Sequence, residues 1–109
     1  MEKVEVKPLS VNEAWKGRRY RTDKYKDWKQ NLLYLLPKSK MCFSGNLKIY
    51  VLFAFSSKAS DIDNPLKPFI DTLCTKYGFN DNQIQELIVY KKVTQKNKEY
   101  IEFEIINII

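Results

Sequence analysis

The sequence predicts an α+β fold of order β-α-β-α-β-β, with helices packed on a small mixed sheet. Three observations predict it. LKIYVLFAF, Leu47 to Phe55, is the strongest strand signal in the chain. After Asn64-Pro65, apolar residues at Leu66, Phe69, Ile70, Leu73 and Tyr77 form one stripe of a helix. Two further strand-like runs, IQELIVYKKV and EYIEFEIINI, close the chain.

The remaining elements follow in order. Val4 and Val6 alternate with charged residues, which predicts a short first strand ended by Pro8 to Asn12. WKGRRYR, Trp15 to Arg21, reads as a basic loop with interleaved aromatics. Thr22 is placed to cap a helix with Asp23 in its first turn. Tyr25, Trp28, Leu32, Leu35 and Leu36 fall near one face of that helix, and Pro37 bounds it. Residues 38–46, with Ser39, Ser44 and Gly45, read as a loop. In the strand that follows, Leu47, Ile49, Val51, Phe53 and Phe55 line one face and Lys48, Tyr50, Leu52 and Ala54 the other, so cover is expected on both faces. Asn64 reads as the cap of the second helix, Pro65 as its first residue and Gly78 as its left-handed stop. Gln95 to Lys98 is expected to join the last two strands as a hairpin.

A chain of 109 residues fits one domain, 1–109, with one core. No apolar run approaches the roughly 20 residues of a membrane span, and MEKVEVK has no signal-peptide character, so a cytoplasmic protein is expected. Cys42 and Cys74 have neither disulfide-framework nor zinc spacing and read as two buried thiols. The absence of histidine excludes His-based triads, His-ligated zinc and His general bases. Thirteen of the 19 Lys and Arg residues lie in 1–58, against 5 of the 13 acidic ones. A basic half beside an acidic half suits polyanion binding next to other chemistry.

DIDNPLKPFIDTL, Asp61 to Leu73, holds the sharpest chemical signal. In an extended segment Asp61 and Asp63 project to one side. Two such carboxylates suit a hard cation such as Mg²⁺, which keeps several waters or phosphate oxygens. The following helix N-terminus favours anions. Lys67 falls opposite the apolar stripe, facing solvent, with Asp71 placed to pair with it at i+4. A calcium EF-hand loop is excluded, because Pro65 and Leu66 occupy positions that need an oxygen ligand and glycine.

These residues resemble the RusA-type Holliday junction resolvases, small dimeric endonucleases of bacteria and their phages. The likeness rests on Asp61-Ile62-Asp63-Asn64, then Lys67, Asp71-Thr72-Leu73, Gly78 and Asn80-Asp81-Asn82-Gln83-Ile84. It extends to Pro8, Ser10, Asn12 and Trp15, followed by Arg18, Arg19 and Arg21. The resemblance implies catalytic residues at Asp61, Asp63, Asp81 and Lys67, with the three aspartates holding Mg²⁺ (or Mn²⁺). It implies DNA contacts at Asn12, Lys16, Arg18, Arg19, Arg21 and Asn64. The sequence departs from the family at Asn80, where the first acid of the loop pair would stand, and in a short loop before Asp81.

The implied reaction is phosphodiester hydrolysis at a four-way DNA junction, with symmetric cuts made by a homodimer. The helix from Asn64 to Tyr77 should run about 20 Å at ~1.5 Å per residue. Asp81 lies beyond its far end, so it reaches Asp61 and Asp63 only if the chain turns back or a second subunit supplies it. Other readings are a non-catalytic junction-binding protein, a metal-dependent nuclease for flaps, forks or RNA, and a small metal-binding scaffold.

Overall fold

The computed structural model describes residues 2–9, 23–39 and 42–108, together with the backbone of residues 15–16 and 20–21. The main sheet contains β1 (Glu2–Val4), β4 (Leu47–Phe55), β5 (Ile84–Val93) and β6 (Tyr100–Asn107) in the order β1-β6-β4-β5. β4 pairs parallel with β5 and antiparallel with β6, and β1 pairs antiparallel with β6. Helices α1 (Asp23–Leu35) and α2 (Leu66–Tyr77) complete a mixed α+β architecture.

The last two strands do not form the expected hairpin. The turn is there, closed by Lys98 N–H donating to the Gln95 carbonyl at 3.0 Å. β4 nevertheless lies between β5 and β6 and pairs with both. As the most apolar strand, β4 is best placed where both of its backbone edges are hydrogen-bonded away from water.

One face of β4 is fully buried at Leu47, Ile49, Val51, Phe53 and Phe55. Phe69 and Leu73 of α2, Leu32 of α1 and Phe103 of β6 share that core. Phe69 stands edge-on to both Phe53 and Phe103, with centroids 5.8 and 5.6 Å away. The opposite face departs from expectation. Lys48, Tyr50 and Leu52 are only half-buried there. Lys48 caps the Tyr50 ring and pairs with Glu86 at 3.3 Å, so polar contacts cover much of what a helix would otherwise hide.

Several smaller expectations are corrected. Within Trp15–Arg21, residues 15–16 (β2) and 20–21 (β3) form a short antiparallel ribbon, setting Lys16 opposite Tyr20 and Trp15 opposite Arg21. Leu35 is exposed, while Leu36, just past the helix end, turns into the core. Cys42 is exposed and Cys74 partly buried, both as free thiols. Thr22, the expected cap of α1, lies outside the described residues. No helix among the described residues is long and apolar enough to cross a membrane.

Candidate active site

α2 connects the two places where the expected carboxylates sit. Chain direction puts Asp61 and Asp63 just before its N-terminus, and Asp81 just after its C-terminus, where β5 begins.

The Asp61 end is a turn, not an extended segment. Asn64 N–H donates to the Asp61 carbonyl at 3.3 Å and Leu66 N–H to the Asp63 carbonyl at 3.1 Å. The cap position is Pro65, with no side-chain cap. Proline has no N–H to satisfy, so the Asn64 side chain turns back instead and donates to Asp61 Oδ2 at 3.4 Å. Turning changes where the carboxylates point. Asp61 lines a hollow with Lys7, Ser56 and Asn64. Asp63 lines a groove on the other side with Lys67, Asp71 and Asp81. The loop before them is tied to β5 by Lys91, whose Nζ donates to the carbonyls of Lys58 and Ser60. No sequence pattern pointed to Lys91, because its role depends on the parallel β4–β5 register.

The groove has an apolar floor of Leu66, Ile70, Ile84 and Leu87. Lys67 Nζ lies 3.5 Å from Asp71 Oδ1, as the i+4 spacing predicted. The two partners differ in exposure, 62% for the lysine side chain and 18% for the aspartate. Such a pair is worth about 0.3 kcal/mol, so the ammonium can be recruited by a stronger anion. Asp81 and Asp71 also border a hollow with Cys74. Burial pushes the Cys74 thiol up, and the charges of Asp81 and Asp71 add to the shift.

The Asp81 end is built by the very residues that depart from the expected pattern. Asp81–Gln83 form a 3₁₀ turn. Asn80 Oδ1 accepts from Asn82 N–H at 3.0 Å, and Gln83 Oε1 accepts from Asn80 N–H at 2.9 Å. This reciprocal capping box satisfies two turn donors at once. Gln83 Nε2 then donates to the Gly45 carbonyl at 2.9 Å, fixing the turn to the β4 entrance. Gly78, at φ +72°, lets the chain leave α2 tightly enough to make this turn.

Asp63, Lys67 and Asp81 thus line one groove in a single chain, while Asp61 lines a different hollow. Among the described residues, no group of three or more His, Cys, Asp or Glu side chains could hold a metal ion. Among the described residues, Asp61, Asp63 and Asp81 are not gathered into one such group. Asn12, Arg18 and Arg19 lie outside the described residues, and Lys16 and Arg21 are described as strand backbone.

A family model described as Endodeoxyribonuclease RusA matches residues 5–104, nearly the whole chain. The chain belongs to the RusA family. Among curated proteins no sequence matches it. RusA enzymes are endodeoxyribonucleases that act on Holliday junction DNA. The matched span begins just after β1, ends within β6 and includes both turns that flank α2.

Proposed function

We propose that this RusA chain works as a homodimer that resolves four-way DNA junctions by paired, symmetric nicks, in recombination and repair in the cytoplasm of a bacterial or phage-infected cell. The carrying observation is the groove lined by Asp63, Lys67 and Asp81 within a chain matched to this family over residues 5–104.

The chain's own residues supply part of the chemistry. Lys67 is exposed and weakly paired, so it can leave Asp71 and neutralise charge developing on a scissile phosphate. Asn64 and the 62–65 turn stand beside Asp61, where a phosphate oxygen can approach the start of α2. The β2–β3 ribbon, which carries Lys16 and Arg21, would follow the DNA backbone; in sequence Arg18 and Arg19 fall between its strands and Asn12 precedes it.

Mg²⁺ (or Mn²⁺) dependence belongs to this reading through the dimer. Asp63 precedes α2 and Asp81 follows it, and both line a largely apolar groove beside β5, an edge strand. An isologous contact, groove against groove, runs the two copies in opposite directions. Asp63 of one copy then meets Asp81 of the other, and two equivalent sites result. Two sites related by a two-fold axis match a substrate with two equivalent strands to cut.

The test is cleavage of a labelled four-way junction in Mg²⁺, with linear duplex as control, for wild type and Asp63→Asn. Paired nicks that vanish in the variant while junction binding persists are expected. A second reading is a junction-binding protein without nuclease activity, which needs no gathered carboxylates; among the described residues Asp61, Asp63 and Asp81 form no such group. Wild type that binds but never cuts, in Mg²⁺ or Mn²⁺, would overturn the nuclease reading in its favour.

A further inference from the structure

A second basic surface lies outside every residue so far connected with DNA. β1, the segment after it and the turn between β5 and β6 enclose an open hollow of about 580 Å³. Lys3, Lys7, Lys98, Asn97 and Tyr100 line it. It shares Lys7 and Glu99 with the neighbouring hollow of about 240 Å³ that reaches Asp61 and Asn64. The two form one path across the molecule to the start of α2.

The fold brings cations together here. Lys3 Nζ lies 4.3 Å from the Tyr100 ring centroid, and Lys92 Nζ lies 5.9 Å from the same centroid. Tyr100, which lines the hollow, thus draws two ammonium groups to its ring and concentrates positive charge beside it. Lys98 is carried by a closed turn in which Asn97 takes φ +67°. The Lys7 backbone is pinned by the Trp28 indole N–H, which donates to its carbonyl at 2.7 Å. Two carboxylates also line the hollow, Glu5 and Glu99. The Glu99 carboxyl is held below its ordinary range by its own backbone N–H, by Ser56 and the Asn97 backbone, and by the nearby charge of Lys7. Glu5 is exposed. Three lysines therefore line the hollow against two carboxylates, one of which, Glu99, lies near Lys7, leaving an excess of positive charge.

We propose that this hollow is a phosphate-binding track for the DNA arm next to the cut, delivering the strand past Lys7 to Asp61 and Asn64. The proposal rests on the nuclease reading above and adds residues that reading does not use. A backbone track is sequence-independent and acts through counterion release, which gives it a quantitative signature.

The experiment measures affinity for a four-way junction across a range of KCl, without Mg²⁺, for wild type and the Lys3→Gln/Lys7→Gln/Lys98→Gln variant. Each lost phosphate contact lowers the slope of log K against log salt by about 0.9, so the triple variant should lose about 2.7. A control pair, Lys26→Gln/Lys38→Gln, should leave the slope near wild type. If the triple variant fails to fold by circular dichroism, Lys98→Gln alone, in an exposed turn, should lower the slope by about 0.9. An unchanged slope in a folded variant overturns the track while leaving the nuclease reading intact. A control pair that lowers the slope as much per charge also overturns it. Wild type that binds no junction overturns both.

Discussion

The two ends of α2 carry the candidate carboxylates, and they are built in different ways. At the C-terminal end, Gly78 N–H closes the helix onto the Cys74 carbonyl at 2.9 Å. Tyr77 donates to the Pro37 carbonyl at 2.7 Å and Lys76 to the Leu33 carbonyl at 3.1 Å, tying α2 to α1 and the segment after it. Phe43 stands edge-on to Tyr77 and Phe79. The Asn80–Gln83 box then presents Asp81. At the N-terminal end the helix has no side-chain cap. Its turn rests on backbone bonds of 3.3 and 3.1 Å and one exposed side-chain contact of 3.4 Å, and Lys91 reaches across from β5 to hold the loop before it. The fold delivers Asp81 on a turn braced by several side-chain hydrogen bonds, and Asp61 and Asp63 on a turn with fewer of them.

The largest effect should erase the difference between the ends. Phe69→Ala removes the ring shared by Phe53 and Phe103 and should cost about 3–5 kcal/mol, with both ends lost in one urea transition. Two separate transitions would mean that the ends do not share a core.

Gln83→Ala addresses the braced end alone. It removes the bond to Asn80 N–H and the anchor on the Gly45 carbonyl, and should cost about 1–2 kcal/mol by urea unfolding. Amide exchange at 80–83 should rise while that at 61–64 stays the same.

A smaller effect comes from pH. Burial, with a contribution from Glu2, pushes the Tyr77 phenol up to about 12 from its ordinary 10. The folded state therefore favours the protonated phenol. Its contribution is complete below pH 10 and is lost as pH rises through 12. Tyr77 is half-buried, so solvent screening reduces the effect. The difference in Tm between wild type and Tyr77→Phe should shrink steadily from pH 10 to 12. A constant difference would place the phenol in water in both states.

Asn64→Ala should have the smallest effect, within about 0.5 kcal/mol, because it deletes one exposed contact of 3.4 Å. A loss as large as that of Gln83→Ala would show the Asp61 end to be braced as well.

Much of this fold was legible in the sequence, and its errors have physical causes. Leu47–Phe55 and Ile84–Val93 match their expected bounds because β-branched and aromatic runs ended at clear breaks. Gly78 and Pro37 marked helix ends for reasons local to the backbone. Strand neighbours were not legible, since the Gln95–Lys98 turn is compatible with a hairpin and with a crossing over β4 alike. The identities of Asp61, Asp63, Lys67 and Asp81 could be read from the motif, but their directions could not. Asn64 has two uses for its side chain, capping the helix or closing back on Asp61, and only the folded turn decides between them. Asn80 read as a lost acid and is the cap that sets Asp81 in place.

Complementation tests the shared site most directly. Asp63→Asn and Asp81→Asn are each prepared alone, then mixed by co-refolding and assayed for nicking of a four-way junction in Mg²⁺. Each variant alone should be inactive. In a mixed dimer, one site carries both substitutions and the other carries neither, so a site shared between copies predicts that single-strand nicking returns in the mixture. A mixture as inactive as its parts, with mixed dimers confirmed by differential tags, would contradict the shared site and confine each site to one chain.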